Sequence, residues 1–333
     1  MTTRLDGKNT YFLPFNVGYD GGKGNPPNPD GYRTAYLYER ILQRDAFLEI
    51  IEKYLHLEKT TKEVAGKKVI TETIIFPRFH QCDAVRAMTG SAKGEGPGKN
   101  YLVQHSAGSE KSNTIMWLAH QLSSLHDAKD KKIFDSIIIV TDRTVLDNQL
   151  ADAVKQFDHK DGVVVSINDR ESAKSTKLTQ ALKKKVPIIL VTIQTFPRAV
   201  KALSEIPELA KRSFAVIADE AHSSQTGESA KSIKEGLGIT DADLDDSEEV
   251  SAEDAMLVLA KKRATAKNIS YFAFTATPKA KTLERFGRLN AQGMLFASMA
   301  AKSLKLEDID TSTEDVLATA DSTETIQRVH AVA

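Results

Sequence analysis

A short loop that combines glycine, lysine and a hydroxyl side chain follows the apolar segment Tyr101–Gln104. The loop reads His-Ser-Ala-Gly-Ser-Glu-Lys-Ser over residues 105–112, and Asn113–Leu125 after it has helical patterning. A strand, a tight glycine loop, a Lys-Ser pair and a helix are the layout of a phosphate-binding loop. The pattern therefore predicts that the loop binds the phosphates of a nucleotide.

Each residue of this loop has an expected part in holding phosphate. Main-chain N–H groups from Gly108 to Ser112 hold the phosphate oxygens, Lys111 reaches the β- and γ-phosphates, and Ser112 binds Mg²⁺. The residues predicted to contact the nucleotide are Gly108, Ser109, Glu110, Lys111 and Ser112. Glycine is expected immediately before the lysine, but the sequence has Glu110. A carboxylate at this position would repel a triphosphate, which puts nucleotide affinity in question.

Two adjacent carboxylates follow the apolar segment Phe214–Ala218, in the order Asp219, Glu220, Ala221, His222. Acidic side chains at the end of a buried strand are costly unless a counter-charge is present, and a magnesium–nucleotide complex supplies one. Asp219 is predicted to bind Mg²⁺, and Glu220 to position or deprotonate the attacking water.

The segment Phe274–Pro278 reads Phe-Thr-Ala-Thr-Pro and also ends an apolar run. The hydroxyl groups of Thr275 and Thr277 can form hydrogen bonds to groups such as His222. We expect these three residues to couple the state of the nucleotide to a neighbouring domain.

Apolar, β-branched runs alternate with helical segments through most of the chain. Continuous rather than alternating apolarity indicates strands that are buried on both faces, which is typical of a parallel sheet covered by helices. The predicted fold class is therefore α/β, with a mostly parallel sheet and helices on both faces. The predicted strands are Tyr101–Gln104, Ile137–Thr141, Val163–Ile167, Ile188–Ile193, Phe214–Ala218 and Tyr271–Thr275.

Composition suggests three segments. Residues 1–75 form a linker segment that is irregular at first, then helical from Ala35 to Leu57, with a short β excursion over 58–75. Residues 76–288 contain the alternating pattern of the main domain. Residues 289–333 are predicted to be a weakly ordered tail with a short helix or two.

The overall charge and composition are those of an ordinary globular protein. The 45 basic residues balance 45 acidic ones, so the net charge neither indicates nor excludes nucleic-acid binding. Eight of the acidic residues lie in Asp241–Asp254, which is predicted to be a solvated insertion. There is no apolar run of about 18 residues and no secretory pattern. The single cysteine, Cys82, excludes a disulfide framework. The expected location is cytoplasmic.

The ordered set GSEKS, DEAH and FTATPK resembles motifs I, II and III of superfamily 2 helicases and translocases. Further segments, above all TDRTVLDNQL and DEAHSSQTG, resemble the motor (R, or HsdR) subunit of type I restriction endonucleases over roughly Thr10 to Phe286. The resemblance implies a RecA-like P-loop NTPase domain, preceded by a helical and irregular linker, that uses ATP and Mg²⁺ to move along double-stranded DNA.

The same resemblance implies roles for residues outside the three motifs. Gln81, within FPRFHQ, matches the glutamine that recognises adenine, with Arg78 or Phe79 beside the base. Two further segments match those that contact the DNA backbone, at Thr141, Arg143, Thr192, Gln194 and Thr195.

Members of this family work with methyltransferase (M) and specificity (S) subunits, and the latter reads the DNA target. The sequence shows no equivalent of the family's nuclease domain or second motor domain, so we expect little ATPase activity from this polypeptide alone. Two alternatives stay open. The chain could be a non-catalytic remnant that binds nucleotide weakly, or another superfamily 2 DNA helicase.

Overall fold

The structure, a computed structural model, describes Lys8 and residues 15–19, 24–64, 67–105, 110–141, 154, 157, 162–167, 174–219 and 268–275, together with several short strands. The α-helices are α1 (Arg44–Lys53), α2 (Phe79–Glu95), α3 (Lys111–Ser123), α4 (Lys174–Lys183), α5 (Phe196–Glu205) and α6 (Pro207–Ala210). The strands are β1 (His56–Val64), β2 (Lys67–Ile75), β3 (Asn100–His105), β4 (Ser136–Thr141), β5 (Val164–Ile167), β6 (Ile188–Thr192), β7 (Phe214–Ala218), β8 (Ser224–Gln225), β9 (Val250–Ser251), β10 (Ile269–Thr275), β11 (Arg288–Leu289), β12 (Leu295–Phe296), β13 (Met299–Ala301) and β14 (Ile326–Gln327).

A parallel sheet forms the centre of the fold, with its strands in the order β3, β10, β7, β4, β6, β5. Each strand coincides with one of the apolar runs identified in the sequence. The predicted α/β fold with a mostly parallel sheet is therefore confirmed.

Both faces of this sheet are buried, as continuous apolarity predicts. In β4, Ile138 and Val140 belong to one core cluster, whereas Ile137 and Ile139 belong to a second. Helices α4 and α5 contribute to the first cluster, and α2 and α3 contribute to the second. Successive side chains of a strand point to opposite faces, so each cluster lies on its own side of the sheet.

The predicted continuous helix from Ala35 to Leu57 is wrong in its extent. A π-helical turn at Leu37–Ile41 is followed by an extended residue, Gln43, from which α1 starts. The helix ends at Lys53, because β1 begins at His56 and pairs along its whole length with β2. The expected β excursion over residues 58–75 is thus an antiparallel hairpin that starts slightly earlier.

The N-terminal segment shares a core with the sheet. Tyr54 is buried, its hydroxyl donates to the carbonyl of Cys82 at 3.4 Å, and its own carbonyl accepts from Nε1 of Trp117 at 2.8 Å. Other apolar side chains of the segment remain exposed, among them Leu48 and Ile51 of α1. The segment is therefore partly integrated with α2 and α3.

Beyond residue 288, the described residues form short strands where the sequence suggested helix. Strand β13 runs parallel to β3 at the edge of the sheet, and β14 pairs with β13 in the antiparallel direction. None of the helices within the described ranges has both the length and the apolar character of a membrane span.

Candidate functional site

The carboxyl ends of the parallel strands bring several of the predicted chemical segments to one edge of the sheet. Thr275 of β10 is level with Gln104 of β3, and Ala218 of β7 is level with Ala273 of β10. Strand β10 therefore lies between the strand that leads into the phosphate loop and the strand that leads into Asp219. Neighbouring strands are about 4.8 Å apart, so β3 and β7 are about 10 Å apart.

Asp219 is held at this edge by its main chain. Its N–H donates to the carbonyl of Val140 at 3.0 Å, which extends the pairing of β7 with β4 by one residue. The residue is only 8% exposed. A buried carboxylate is favourable when a cation or several donors compensate its charge, and hard divalent cations prefer carboxylate oxygens. Asp219 therefore fits the predicted role of a Mg²⁺ ligand.

Helix α3 begins at Lys111, directly after the loop, and no side chain caps its first turn in the described part of the chain. The N–H groups of a first helical turn lack partners within the helix and carry a partial positive charge. An uncapped turn that starts with Lys111 and Ser112 is consequently suited to bind an anion.

Glu110 adopts the left-handed conformation, with φ 52° and ψ 47°. This backbone conformation favours glycine, which agrees with the glycine expected at the position. The carboxylate does not remain without a partner: its Oε1 lies 3.2 Å from a guanidinium nitrogen of Arg78, just before α2. The charge that the sequence predicts beside the phosphate site is thus matched by a nearby cation.

Gln81 is fully buried, and its amide joins two helix N-termini. Its Oε1 accepts from the N–H of Arg78 at 2.8 Å, and its Nε2 donates to the carbonyl of Glu110 at 3.2 Å. Phe79 is also buried, edge-on to Phe15 and Tyr36. The contacts of Gln81 and Arg78 with Glu110 are not apparent from the motifs. One feature of the sequence could have indicated them. A glutamine at the third position of a helix often accepts a hydrogen bond from the backbone of the capping residue, as in a capping box.

Buried polar side chains surround the end of β3. His105 is fully buried, and neither ring nitrogen has a hydrogen-bond partner within the described residues. Its ring lies edge-on to His80 and Phe274, with centroids 5.7 Å and 5.9 Å away. Burial, with smaller contributions from His80 and Lys111, holds the pKa of His105 well below its ordinary value. The ring is therefore neutral beside the phosphate loop.

Thr275 is likewise fully buried, and its hydroxyl has no hydrogen-bond partner in the ranges that the structure describes. It lies at the carboxyl edge between β3 and β7. A buried hydroxyl is normally hydrogen-bonded. Its surroundings thus suit the coupling role expected from sequence, although the expected partner, His222, lies outside the described residues.

The segments predicted to contact DNA end the neighbouring strands β4 and β6. Thr141 pairs with Thr192, and both side chains are buried. The hydroxyl of Thr192 donates to Oγ1 of Thr195 at 3.2 Å, in the turn that leads into α5. Gln194 is half-buried, so its side chain is the one of these four that reaches the surface.

Six predicted site residues lie outside the described part of the chain. They are Gly108, Ser109, Arg143, Glu220, His222 and Thr277. Within the described residues, no group of three or more acidic, histidine or cysteine side chains is arranged to bind a metal ion.

Comparisons with known proteins identify the family of the chain. Residues 80–315, which contain the loop, Asp219 and Thr275, match the SWI2/SNF2 ATPase family. The chain belongs to the SWI2/SNF2 ATPase family. The chain is also 26% identical, over 263 residues, to a putative type I restriction enzyme MjaIXP endonuclease subunit from Methanocaldococcus jannaschii. The alignment covers 77% of this chain but only 20% of that relative. The predicted resemblance to type I restriction subunits is confirmed.

Solved structures with some similarity to this chain include two helicases and a fragment of a restriction subunit. The UvsW helicase from bacteriophage T4 is 19% identical, with a TM-score of 0.37 and coverage of 74% of this chain and 66% of that chain. The Pyrococcus furiosus Hef helicase domain is 15% identical, with a TM-score of 0.38 and coverage of 61% and 34%. A fragment of a putative HsdR subunit from Vibrio vulnificus YJ016 is 13% identical, with a TM-score of 0.33 and coverage of 74% and 43%. These scores are too low to compare individual sites.

Proposed function

We propose that this chain is the first motor lobe of an ATP-driven translocase on double-stranded DNA, of the kind that serves type I restriction. The observation that carries the proposal is the placement of Lys111 and Asp219. They follow strands on either side of β10, at the same edge of the sheet. That spacing leaves room for a phosphate chain between a cationic helix start and a buried carboxylate.

Each side chain has a specific part in the proposed site. Lys111 and the N–H groups at the start of α3 bind the β- and γ-phosphates, and Ser112 and Asp219 hold Mg²⁺. When bound, the metal ion neutralises charge that develops on the transferred phosphoryl group. Glu220 orients the water that attacks the γ-phosphate.

Gln81 acts on the nucleotide through the loop. It is fully buried, and both ends of its amide bind main-chain groups of Arg78 and Glu110. Direct recognition of adenine would require movement at the start of α2. A role in fixing the backbone before Lys111 requires none.

Thr275, Thr277 and His222 couple the nucleotide to the rest of the motor, because hydroxyl and imidazole groups at one sheet edge can exchange hydrogen bonds. DNA binds along the ends of β4 and β6, where Arg143 and Gln194 contact phosphates while Thr141 and Thr192 support the loops. Contacts to phosphates do not read sequence, so the DNA target is read elsewhere. Methyltransferase and specificity subunits are the proposed partners.

A second candidate function is a nucleotide-binding lobe without turnover. The left-handed Glu110, in place of the expected glycine, favours this alternative, because a Cβ and a carboxylate then adjoin the phosphate loop. In that case the chain binds nucleotide but does not hydrolyse it.

Titration with a fluorescent ATP analogue and Mg²⁺, followed by ATP turnover with and without duplex DNA, tests the proposal. Lys111→Ala should abolish binding, whereas Lys93→Ala, on the exposed last turn of α2, should not. Since this polypeptide alone is expected to hydrolyse ATP slowly, the discriminating result is the response to DNA. Turnover that rises with duplex DNA would support the motor, and binding without turnover would support the second candidate. Equal binding by Lys111→Ala and the unsubstituted chain would contradict both.

A further inference from the structure

The start of α2 and the residue before Lys111 are joined by an ion pair. A guanidinium nitrogen of Arg78 lies 3.2 Å from Oε1 of Glu110. The Arg78 side chain is 17% exposed and that of Glu110 is 46% exposed. A pair that is partly shielded on one side is screened less by salt than a fully exposed pair.

The main chain holds the same two segments together. The amide of Gln81 binds the N–H of Arg78 and the carbonyl of Glu110, so both partners of the ion pair have fixed backbones. A second bond anchors Glu110, since its carbonyl also accepts from the N–H of Asn113 at 3.1 Å. Pre-organised partners lose less conformational entropy when they form an ion pair.

This pairing has a consequence for an anionic ligand. A free carboxylate immediately before Lys111 would repel phosphate groups and would compete with them for the lysine. A guanidinium 3.2 Å from that carboxylate offsets part of its charge and draws it towards α2 rather than towards Lys111.

We propose that Arg78 is a positioning residue for nucleotide binding, which holds the carboxylate of Glu110 against α2 and so allows a glutamate at a glycine position. The inference rests on the proposed binding of ATP to the loop. It assigns to Arg78 an indirect action through Glu110, rather than a contact with the nucleotide.

A double-mutant cycle separates the indirect action from a direct contact. The variants are Arg78→Gln, Glu110→Gln and the double substitution, with Glu110→Gly to separate the charge from the left-handed backbone. Arg78→Gln in the original chain should weaken binding of the ATP analogue about tenfold at low salt, because it exposes phosphate to an uncompensated carboxylate. In the Glu110→Gln background, the same substitution should change the dissociation constant less than about twofold.

Three outcomes would overturn the inference. If Arg78→Gln weakens binding equally in both backgrounds, Arg78 contacts the nucleotide itself. If it has no effect in the original chain, the ion pair does not influence affinity. If no variant binds nucleotide, Glu110→Gly included, then the proposed function fails together with the inference.

Folding of the variants must be followed separately. Thermal unfolding of each protein checks that Arg78→Gln retains the fold. If Arg78→Gln unfolds, Arg78→Lys takes its place in the cycle. Lysine keeps the charge but lacks the planar guanidinium group. We therefore expect an intermediate loss of nucleotide affinity, which again disappears in the Glu110→Gln background. Equal losses by Arg78→Lys in both backgrounds would contradict the inference.

Discussion

The side-chain amide of Gln81 donates to the main-chain carbonyl of Glu110 over 3.2 Å, and so connects α2 to the residue before Lys111. The other end of the amide accepts from the N–H of Arg78. Gln81 itself is fully buried. The start of α2 and the residue before Lys111 are therefore linked through one buried side chain.

Gln81→Ala should lower both stability and nucleotide affinity. The N–H of Arg78 loses its partner, whereas the carbonyl of Glu110 keeps the N–H of Asn113. One unsatisfied group costs about 1–3 kcal/mol, so we expect the free energy of unfolding in urea to fall by about that amount. Gln121→Ala is the matched control, since Gln121 is a buried glutamine in α3 remote from the loop. Weakened nucleotide binding by the control as well would contradict a specific link between Gln81 and the loop.

Asp219→Asn should reduce the low ATP turnover expected of this chain to background, because the carboxylate proposed to hold Mg²⁺ is replaced by a neutral amide. Asp135→Asn is the control. Asp135 lies at the opposite edge of the sheet, where it pairs with Lys185 at 3.2 Å and accepts from the N–H of Ser213. We expect that control to lower stability while turnover per folded molecule is unchanged. Normal turnover by Asp219→Asn would remove Asp219 from the site.

Trp117 is the single tryptophan of the chain, and it lies fully buried in α3, the helix that starts at Lys111. Its indole N–H binds the carbonyl of Tyr54. Trp117→Phe should therefore destabilise the protein by about 1–3 kcal/mol, through a lost hydrogen bond and lost volume. Urea unfolding followed by circular dichroism measures the change. An unchanged midpoint would show that the Tyr54 contact contributes nothing to stability.

Acid should destabilise the fold through His105. Burial lowers the pKa of this residue in the folded state well below the value of 6.5 that applies when the chain unfolds. Below about pH 6.5 the histidine is protonated in the unfolded state but not in the folded state. The free energy of unfolding therefore falls as the pH drops, by up to about 1.4 kcal/mol per pH unit. His56, whose pKa burial also lowers, adds to the same slope.

Substitution identifies the contribution of His105. In His105→Phe the slope of unfolding free energy against pH should flatten below pH 6.5, since phenylalanine cannot titrate and can still pack against Phe274. A slope that persists in full without His105 would assign the acid sensitivity to other groups.

The sheet could be predicted from sequence because a strand that is buried on both faces is a continuous run of apolar residues. Segments such as Ile137–Thr141 and Phe214–Ala218 are apolar throughout, and length and flanking residues mark them as strands. The apolar pattern of residues 35–57 did not specify its structure equally well. Helix and strand compete there, and pairing of β1 with β2 decides the outcome at His56.

The candidate site was predictable in its residue types but not in its contacts. Lys111 was predicted from a glycine loop followed by Lys-Ser and a helix, and Asp219 from a pair of acidic residues after a buried strand. The pairing of Arg78 with Glu110 joins the residues that precede two different helices, and no local pattern relates them. Burial of Thr141 and Thr192 could not be predicted from sequence either. Threonine is common at exposed strand ends, and these two are buried where β4 and β6 pair in the folded sheet.

The position of β10 between β3 and β7 also determines when the central sheet can form during synthesis. The N–H of Gly98, just before β3, donates to Oγ of Ser270, 172 residues later in the chain. During synthesis, the edges of β3 and β7 that pair with β10 therefore remain unpaired until β10 has left the ribosome. Long-range pairing of this kind is slow, and unpaired strand edges promote association between nascent chains. A truncation before residue 268 should accordingly yield aggregated protein rather than a smaller folded domain.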